Sequence, residues 1–136
     1  MNRMMLLVSE REAVCGRCKA ELDTTGAVAH VDLAALEGAI MSCPAPMLVD
    51  FWAPWCGPCH AFAPVVERFA HEQAGRLVVL KLDTDANPTA GARFGIRAVP
   101  TLAVFRGGKE VERISGALPL EELRRFTAAA IHSVAR

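Results

Sequence analysis

Trp55-Cys56-Gly57-Pro58-Cys59 is the stretch that decides the fold of this 136-residue sequence. It follows an apolar segment, Met47–Trp52, with the composition of a buried strand, and it precedes a segment with helical periodicity. In a helix, residues three apart lie on one face with their Cα atoms about 5 Å apart, inside the roughly 4.4–6.8 Å range that a disulfide requires. The two cysteines are therefore placed to form and break a disulfide with little movement of the backbone.

The position of Cys56 predicts that its thiol is reactive. We expect it at the N-terminus of the helix, where unpaired N–H groups and the helix dipole stabilise an anion. The thiolate is the form that attacks disulfides, so the pair formed by Cys56 and Cys59 indicates thiol–disulfide exchange. We expect Cys56 to be exposed at the helix end and Cys59, one turn further on, to be shielded.

Two other interpretations of this cysteine pair agree less well with the sequence. A structural zinc site needs a second pair of ligands at similar spacing; none follows Cys59, and Pro58 suits the first turn of a helix. A permanent structural disulfide is typical of exported proteins, and the apolar run Met4–Val8 is too short for the core of a signal peptide. We therefore favour a catalytic dithiol.

Composition and charge are those of a small globular domain. Hydrophobic residues make up 52% of the chain, and 15 basic residues balance 15 acidic ones. This balance predicts no binding to nucleic acid or to an anionic membrane surface, and no segment has the length of apolar sequence that spans a bilayer. We expect a monomer in a reducing, cytoplasmic compartment.

Strand-like and helix-like segments alternate along the chain. A helix is predicted to begin after Asp32 as its N-cap, further helices follow Cys56, span Pro88–Phe94 and close the chain, and Gly107-Gly108 predicts a hairpin. Strands separated by helices favour parallel pairing, so we expect an α/β fold with a mixed sheet. Function in such sheets gathers beyond the carboxyl ends of the parallel strands, where Cys56 lies. The predicted strands are Gly26–Val31, Met47–Trp52, Leu77–Leu82, Thr101–Arg106 and Glu110–Ser115.

Two charged residues interrupt segments that have the composition of buried strands. Asp50 lies within Met47–Trp52, and Lys81 lies within Leu77–Leu82, from which it can approach Asp50. Burial favours the protonated form of a carboxyl, and a carboxyl with a raised pKa exchanges protons near neutral pH. Because Asp50 is five residues from Trp55, we favour a functional carboxyl over a structural ion pair or an edge position facing solvent.

Several motifs share the order and spacing of one known family. They are Asp50–Cys59, Pro64, Lys81, Gly95–Thr101 and Gly116. Together they resemble the thioredoxin family, from about Gly26 to the C-terminus. The resemblance implies a thioredoxin fold over residues 25–136, with a five-stranded mixed sheet flanked by four helices. It also implies a reductant of protein disulfides that thioredoxin reductase recharges and that needs no cofactor beyond the Cys56–Cys59 disulfide.

The resemblance implies roles for the reacting residues. By this likeness Cys56 attacks the substrate disulfide and Cys59 resolves the mixed disulfide. Asp50, with Lys81 beside it, is implied to assist proton transfer at Cys59. The remaining residues of the active-site motif are Trp55, Gly57 and Pro58.

The resemblance also implies a docking surface for an extended substrate peptide. Pro100 is implied to be a cis-proline that faces the dithiol, and Val99 is implied to offer backbone hydrogen bonds to the peptide. Trp55, Gly95 and Gly116 would line the apolar part of this surface.

Residues 1–24 extend beyond this resemblance and contain Cys15-Gly16-Arg17-Cys18. This pair resembles the second of two cysteine pairs in the bacterial thioredoxin-2 type, whose N-terminal ribbon binds one zinc through four cysteines. The first pair is absent, so Cys15 and Cys18 make half of a zinc site in a remnant ribbon. The outcomes left open are no metal, a zinc shared between two chains, and a Cys15–Cys18 disulfide; we expect no metal.

Two further residues need an interpretation. His60 follows the second cysteine of the motif, where thioredoxins usually carry Lys or Arg, and it is either an exposed helix residue or a neighbour that tunes the dithiol. Cys43 lies beside a proline-rich break, and we expect it to pack as a small apolar residue.

Other functions are compatible with a thioredoxin-like fold. One alternative is a binding module that holds partner proteins without turnover, which the intact pair of Cys56 and Cys59 argues against. Another is a net oxidant or isomerase, since redox poise depends on how far the dithiol form is stabilised. Gly57 and Pro58 between the thiols resemble the reducing members, so we favour a reductase.

Overall fold

The computed structural model describes residues 26–134, and these form a single sheet with helices on both of its faces. The predicted extension over residues 1–24, with Cys15 and Cys18, lies outside the described residues. None of the helices within residues 26–134 is long and apolar enough to cross a membrane. The elements, in chain order, are β1 (Ala29–His30), α1 (Leu33–Ser42), β2 (Met47–Trp52), α2 (Gly57–Glu72), β3 (Val78–Asp83), α3 (Pro88–Phe94), β4 (Thr101–Arg106), β5 (Lys109–Ser115) and α4 (Leu120–Val134).

The sheet is mixed, as predicted, and its strand order is β1-β3-β2-β4-β5. β3 pairs in parallel with β1 and β2, whereas β4 pairs antiparallel with β2 and β5. The first strand is shorter than the predicted Gly26–Val31: only Ala29 and His30 enter the ladder, because Gly26 has a φ of 106° and Asp32 already caps the next helix. In this strand order β2 is the central strand, and its carboxyl end leads to the cysteines.

Local signals in the sequence set the ends of these elements. The carboxylate of Asp32 accepts a hydrogen bond of 2.8 Å from the backbone N–H of Ala35, so it caps α1 as predicted. Gly107 and Gly108 join β4 to β5 with φ values of 64° and 83°, which only glycine adopts readily. The predicted N-cap and hairpin are both confirmed.

Two apolar layers cover the faces of the sheet. Val49 and Phe51 of β2 pack in one layer with residues of α1 and α3. Leu48, on the opposite face of the same strand, packs in the other layer with Phe62 of α2 and Leu123 of α4. Fully burying one such side chain stabilises the fold by about 1.5–3 kcal/mol. This packing fixes α2 against the sheet and so fixes the two cysteines at its start.

Candidate active site

The two cysteines lie where β2 gives way to α2. Cys56 is the N-cap of α2 in extended conformation, and Pro58 stands in the first turn. The Cα atoms of Cys56 and Cys59 are 5.2 Å apart, and their sulfur atoms are joined in a disulfide. The backbone N–H of Cys59 donates a hydrogen bond of 3.1 Å to Cys56 Sγ. The sulfur of Cys56 therefore receives a donor from the helix N-terminus, the arrangement that stabilises a thiolate.

The expectation that Cys56 is exposed is wrong for this disulfide form. Its exposed fraction is 3%, against 2% for Cys59. Both sulfurs pack with Ala53, and the side chains of Trp52 and Val99 cover them. Burial therefore does not distinguish the two thiols, and the difference between them lies in their positions relative to the helix N-terminus.

A loop before β4 faces the disulfide. The peptide bond between Val99 and Pro100 is cis, as the family resemblance implied. The carbonyl oxygen of Val99 lies 3.7 Å from Cys56 Sγ. The Thr101 hydroxyl donates a hydrogen bond of 2.6 Å to the Ala98 carbonyl, and the Gly116 N–H donates one of 2.8 Å to the Pro100 carbonyl. The end of β5 and the start of β4 thus hold the loop against the redox centre.

Trp55 is exposed, with 71% of its surface accessible. Its indole N–H donates a hydrogen bond of 3.3 Å to Asp85 in the loop after β3. The sequence reasoning missed Asp85, although its place after a parallel strand, at the edge where Cys56 lies, was a usable signal. Of the other docking residues, Gly95 ends α3 in the left-handed region and Gly116 follows β5, both with positive φ.

Asp50 and Lys81 are register partners on the central parallel strands. Asp50 is 1% exposed and Lys81 is 8% exposed, so the edge position facing solvent is excluded. Burial raises the pKa of Asp50 to about 6, and the positive charge of Lys81 opposes this shift only in part. Asp50 Oδ1 is buried without a hydrogen-bond partner among the described residues. A carboxyl in this state can accept or release a proton near neutral pH.

Trp52 connects this buried pair to the disulfide. The ammonium group of Lys81 lies 4.7 Å from the centre of the Trp52 ring, within the range of a cation–π contact. His60 packs edge-on against the same ring at 6.0 Å, and its Nε2 donates a hydrogen bond of 2.6 Å to the Pro54 carbonyl. His60 is exposed on the surface of α2, which agrees with the first of its two interpretations, and its hydrogen bond joins α2 to the loop that carries Trp55.

Two predicted features lie away from the redox centre. Cys43 is buried in the apolar layer at the end of α1, as its predicted packing role requires. Within residues 26–134, no group of three or more His, Cys, Asp or Glu side chains is arranged to hold a metal ion. Cys15 and Cys18, the predicted half of a zinc site, lie outside that part of the chain.

The fold and the buried disulfide at the start of α2 define a thiol–disulfide oxidoreductase. Comparison with known families gives the same class: the family model described as Thioredoxin matches residues 27–129. The chain is 44% identical over 93 residues to thioredoxin 1 of a Nostoc species, covering 68% of this chain and 87% of that protein. It is 41% identical over 99 residues to a thioredoxin of Haemophilus influenzae, covering 73% and 92%.

A solved structure supports the same assignment. A mutant thioredoxin from Halobacterium salinarum NRC-1 superposes with a TM-score of 0.70 and 31% identity, covering 78% of this chain and 92% of that one. The chain belongs to the thioredoxin family. It is a protein-disulfide reductase with a redox-active Cys56–Cys59 disulfide. Family membership implies a reductase that recharges this disulfide and protein disulfides as substrates.

Proposed function

We propose that the chain reduces protein disulfides in two steps, in which Cys56 attacks and Cys59 resolves. The Cys56 thiolate bonds to one sulfur of the substrate disulfide, and the other sulfur leaves as a thiolate that takes up a proton. Cys59, after losing its proton, attacks the Cys56 sulfur, which breaks the mixed disulfide and releases the second substrate thiol. The protein is left with the Cys56–Cys59 disulfide, and the substrate is left with two thiols.

The hydrogen bond from the Cys59 N–H to Cys56 Sγ, 3.1 Å long, is the observation that carries this assignment. It reaches the Cys56 sulfur at the N-terminus of α2, where the helix dipole favours negative charge. A charged acceptor forms the stronger hydrogen bond, so this donor stabilises the thiolate of Cys56 more than its thiol. Cys59 lies inside the first turn, so Cys56 is the attacking residue.

Asp50 is the residue we assign to proton transfer at Cys59. Its raised pKa, about 6, supports this role because such a carboxyl can hold or accept a proton at cellular pH. Lys81 limits the shift, so Asp50 is ionised in an appreciable fraction of molecules at pH 7. The competing interpretation is that Asp50 and Lys81 form a structural ion pair. Buried pairs contribute little to stability against an apolar replacement, which favours the functional role.

A docking surface for an extended peptide is the third part of the proposal. Val99 would pair its backbone with the substrate, as in other cases where an extended peptide is recognised through main-chain hydrogen bonds. Pro100 would hold this loop beside the disulfide, and the exposed ring of Trp55 would supply apolar contact. Gly95 and Gly116 would leave room for the peptide because they carry no side chain.

Insulin reduction coupled to NADPH and thioredoxin reductase tests the proposal. The wild-type protein is expected to turn over, and this result would also identify thioredoxin reductase as its reducing partner. A binding module would neither consume NADPH nor accelerate insulin precipitation in dithiothreitol. A net oxidant would fail as a reductant but would oxidise a reduced, unfolded protein, so that second assay separates the remaining alternative.

The N-terminal residues 1–24 form, in our proposal, a separate extension that carries a remnant of the thioredoxin-2-type ribbon and binds no metal. The family match begins at residue 27, which supports a boundary near residue 25. Structural zinc sites take four protein ligands, and Cys15 and Cys18 supply two. Metal analysis and native mass spectrometry provide the test, because one zinc per monomer would overturn this proposal and half a zinc per chain in a dimer would indicate sharing.

The compartment and the assembly state complete the proposal. We place the protein in the cytoplasm, because a dithiol that donates electrons must be kept in its reduced form by the surrounding redox poise. We place it there as a monomer, without nucleic acid or membrane as partners, in keeping with its balanced charge. Size-exclusion chromatography with light scattering tests the monomer directly.

A further inference from the structure

Arg113 of β5 has a half-buried side chain that makes several polar contacts. Its guanidinium donates hydrogen bonds to the backbone carbonyls of Gly95, at 3.2 Å, and Phe94, at 2.5 Å. The same group forms a bidentate ion pair with Glu110, with N–O distances of 2.6 and 2.8 Å. One side chain thus joins the edge strand of the sheet to the end of α3.

A bulge in β5 makes this arrangement possible. Residues three apart on a regular strand point to opposite faces, so Glu110 and Arg113 would normally be separated. The register between β4 and β5 shifts by one residue between Val104 and Phe105. A bulge of this kind redirects the side chains that follow it, and here it brings the carboxylate and the guanidinium together.

The carbonyls that Arg113 binds belong to the C-terminal end of α3. The last carbonyls of a helix have no partner inside the helix, and a cation there is favourable for the helix dipole. Gly95 then turns the chain through the left-handed region toward Val99 and Pro100. Arg113 therefore fixes the start of the segment that faces the disulfide.

We propose that Arg113 is a positioning residue for protein substrates, because it holds the segment from Gly95 to Pro100 in the conformation that a substrate peptide binds. This inference rests on the docking surface assigned above. A segment already held in its bound conformation loses less conformational entropy when it binds a peptide. Arg113 touches none of the reacting atoms, so the chemistry of Cys56 with small disulfides does not depend on it.

The chain contains a matched control in Arg124. This residue forms a similar bidentate ion pair with Glu72, with N–O distances of 2.9 and 2.5 Å, and joins α4 to α2. It makes no hydrogen bond to the Gly95–Pro100 segment among the described residues. Loss of Arg124 therefore tests what removal of an arginine–carboxylate pair does away from the docking surface.

The experiment measures insulin reduction and reduction of hydroxyethyl disulfide by Arg113→Gln, Arg113→Lys and Arg124→Gln. Arg113→Gln is expected to raise KM for insulin about threefold to tenfold, because charge-assisted hydrogen bonds that order the segment are lost. Its kcat with insulin and its rate with the small disulfide stay at the wild-type values. Arg113→Lys restores KM only in part, because an ammonium group cannot reproduce the planar set of donors.

The outcomes separate this inference from the docking proposal itself. Trp55→Ala serves as the positive control: if it raises KM and Arg113→Gln does not, the inference about Arg113 is overturned. If neither variant changes KM, the docking surface is wrong. Amide hydrogen exchange at Ile96, whose N–H donates a hydrogen bond of 2.8 Å to the Gly91 carbonyl, then shows independently whether Arg113 orders the segment. Faster exchange in Arg113→Gln than in Arg124→Gln supports the ordering role of Arg113, and equal exchange rates contradict it.

Discussion

The two halves of the central strand β2 differ in what they contribute. Its first half, Met47–Val49, is apolar and fully buried, and its side chains fill both layers of the core. Its second half carries Asp50 and Trp52, each of which has a buried polar atom without a hydrogen-bond partner among the described residues. Such atoms cost stability. The contrast indicates that the fold tolerates this cost where the strand approaches the disulfide.

The largest expected effect concerns the cysteines that follow the second half of the strand. Cys56→Ser should abolish insulin reduction, because no thiolate remains to attack. Cys59→Ser should instead accumulate mixed disulfides between Cys56 and the substrate, since nothing resolves them. Mass spectrometry of the reaction mixture distinguishes the two variants, and trapping through Cys59 in the Cys56→Ser protein would reverse the assigned roles.

A truncation in the first half of the strand should act on stability alone. Leu48→Ala is expected to lower the free energy of unfolding by about 2–5 kcal/mol, because it leaves a cavity between β2 and α2. Reduction of hydroxyethyl disulfide by the folded fraction at low temperature should stay near the wild-type rate. Urea unfolding gives the stability, and a loss below that of an exposed control such as Met41→Ala would contradict the contrast between the two halves.

The pH dependence of stability should report the free-energy cost of burying the ionised carboxylate of Asp50. Burial raises its pKa from 3.8 to about 6, so between these values the folded state holds a proton that the unfolded state has released. The stabilising contribution of this bound proton is complete below about pH 4 and is lost as pH rises to about 6. The free energy of unfolding should therefore fall by roughly 3 kcal/mol relative to Asp50→Asn across this window.

Urea unfolding of both oxidised proteins from pH 4 to pH 7 measures this difference. Because every other titrating group is common to the two proteins, the difference isolates Asp50. A constant difference across the window would show that the buried carboxyl does not have a raised pKa, and that Lys81 compensates its burial completely.

The smallest expected effect concerns His60, which ties the active-site loop to α2. His60→Leu removes the hydrogen bond to the Pro54 carbonyl and should slow insulin reduction by about twofold to fivefold, given the net value of one such bond. His60→Gln keeps an N–H donor and should recover most of the rate. Equal rates for the Leu and Gln variants would assign the effect to the ring contact with Trp52 instead.

The sequence was sufficient for the elements and for the reacting pair, because these depend on local signals. Apolar runs, the Asp32 cap and Gly107-Gly108 predicted element positions to within a few residues, and the spacing of Cys56 and Cys59 predicted the disulfide. The first strand was predicted too long, because pairing at a sheet edge depends on the partner strand as well as on local composition.

Contacts between distant segments were the part that the sequence did not provide. Cys56 was expected to be exposed, but Val99, 43 residues further along the chain, covers it. Trp55 and Gly95 are hydrogen-bonded to Asp85 and Arg113, which are distant in the sequence, and no pattern around Trp55 or Gly95 indicates these pairings. The bulge that redirects Arg113 follows from the pairing of β4 with β5, which no pattern within β5 reveals.

Rapid acid quenching of Asp50→Asn during a single turnover with insulin tests most directly whether Asp50 serves the resolving step. Asparagine cannot accept the proton of Cys59, so the mixed disulfide should form within about twofold of the wild-type rate and then decay about tenfold to a hundredfold more slowly at pH 7. Slower formation without accumulation, or decay at the wild-type rate, would contradict the account and leave Asp50 as a structural partner of Lys81.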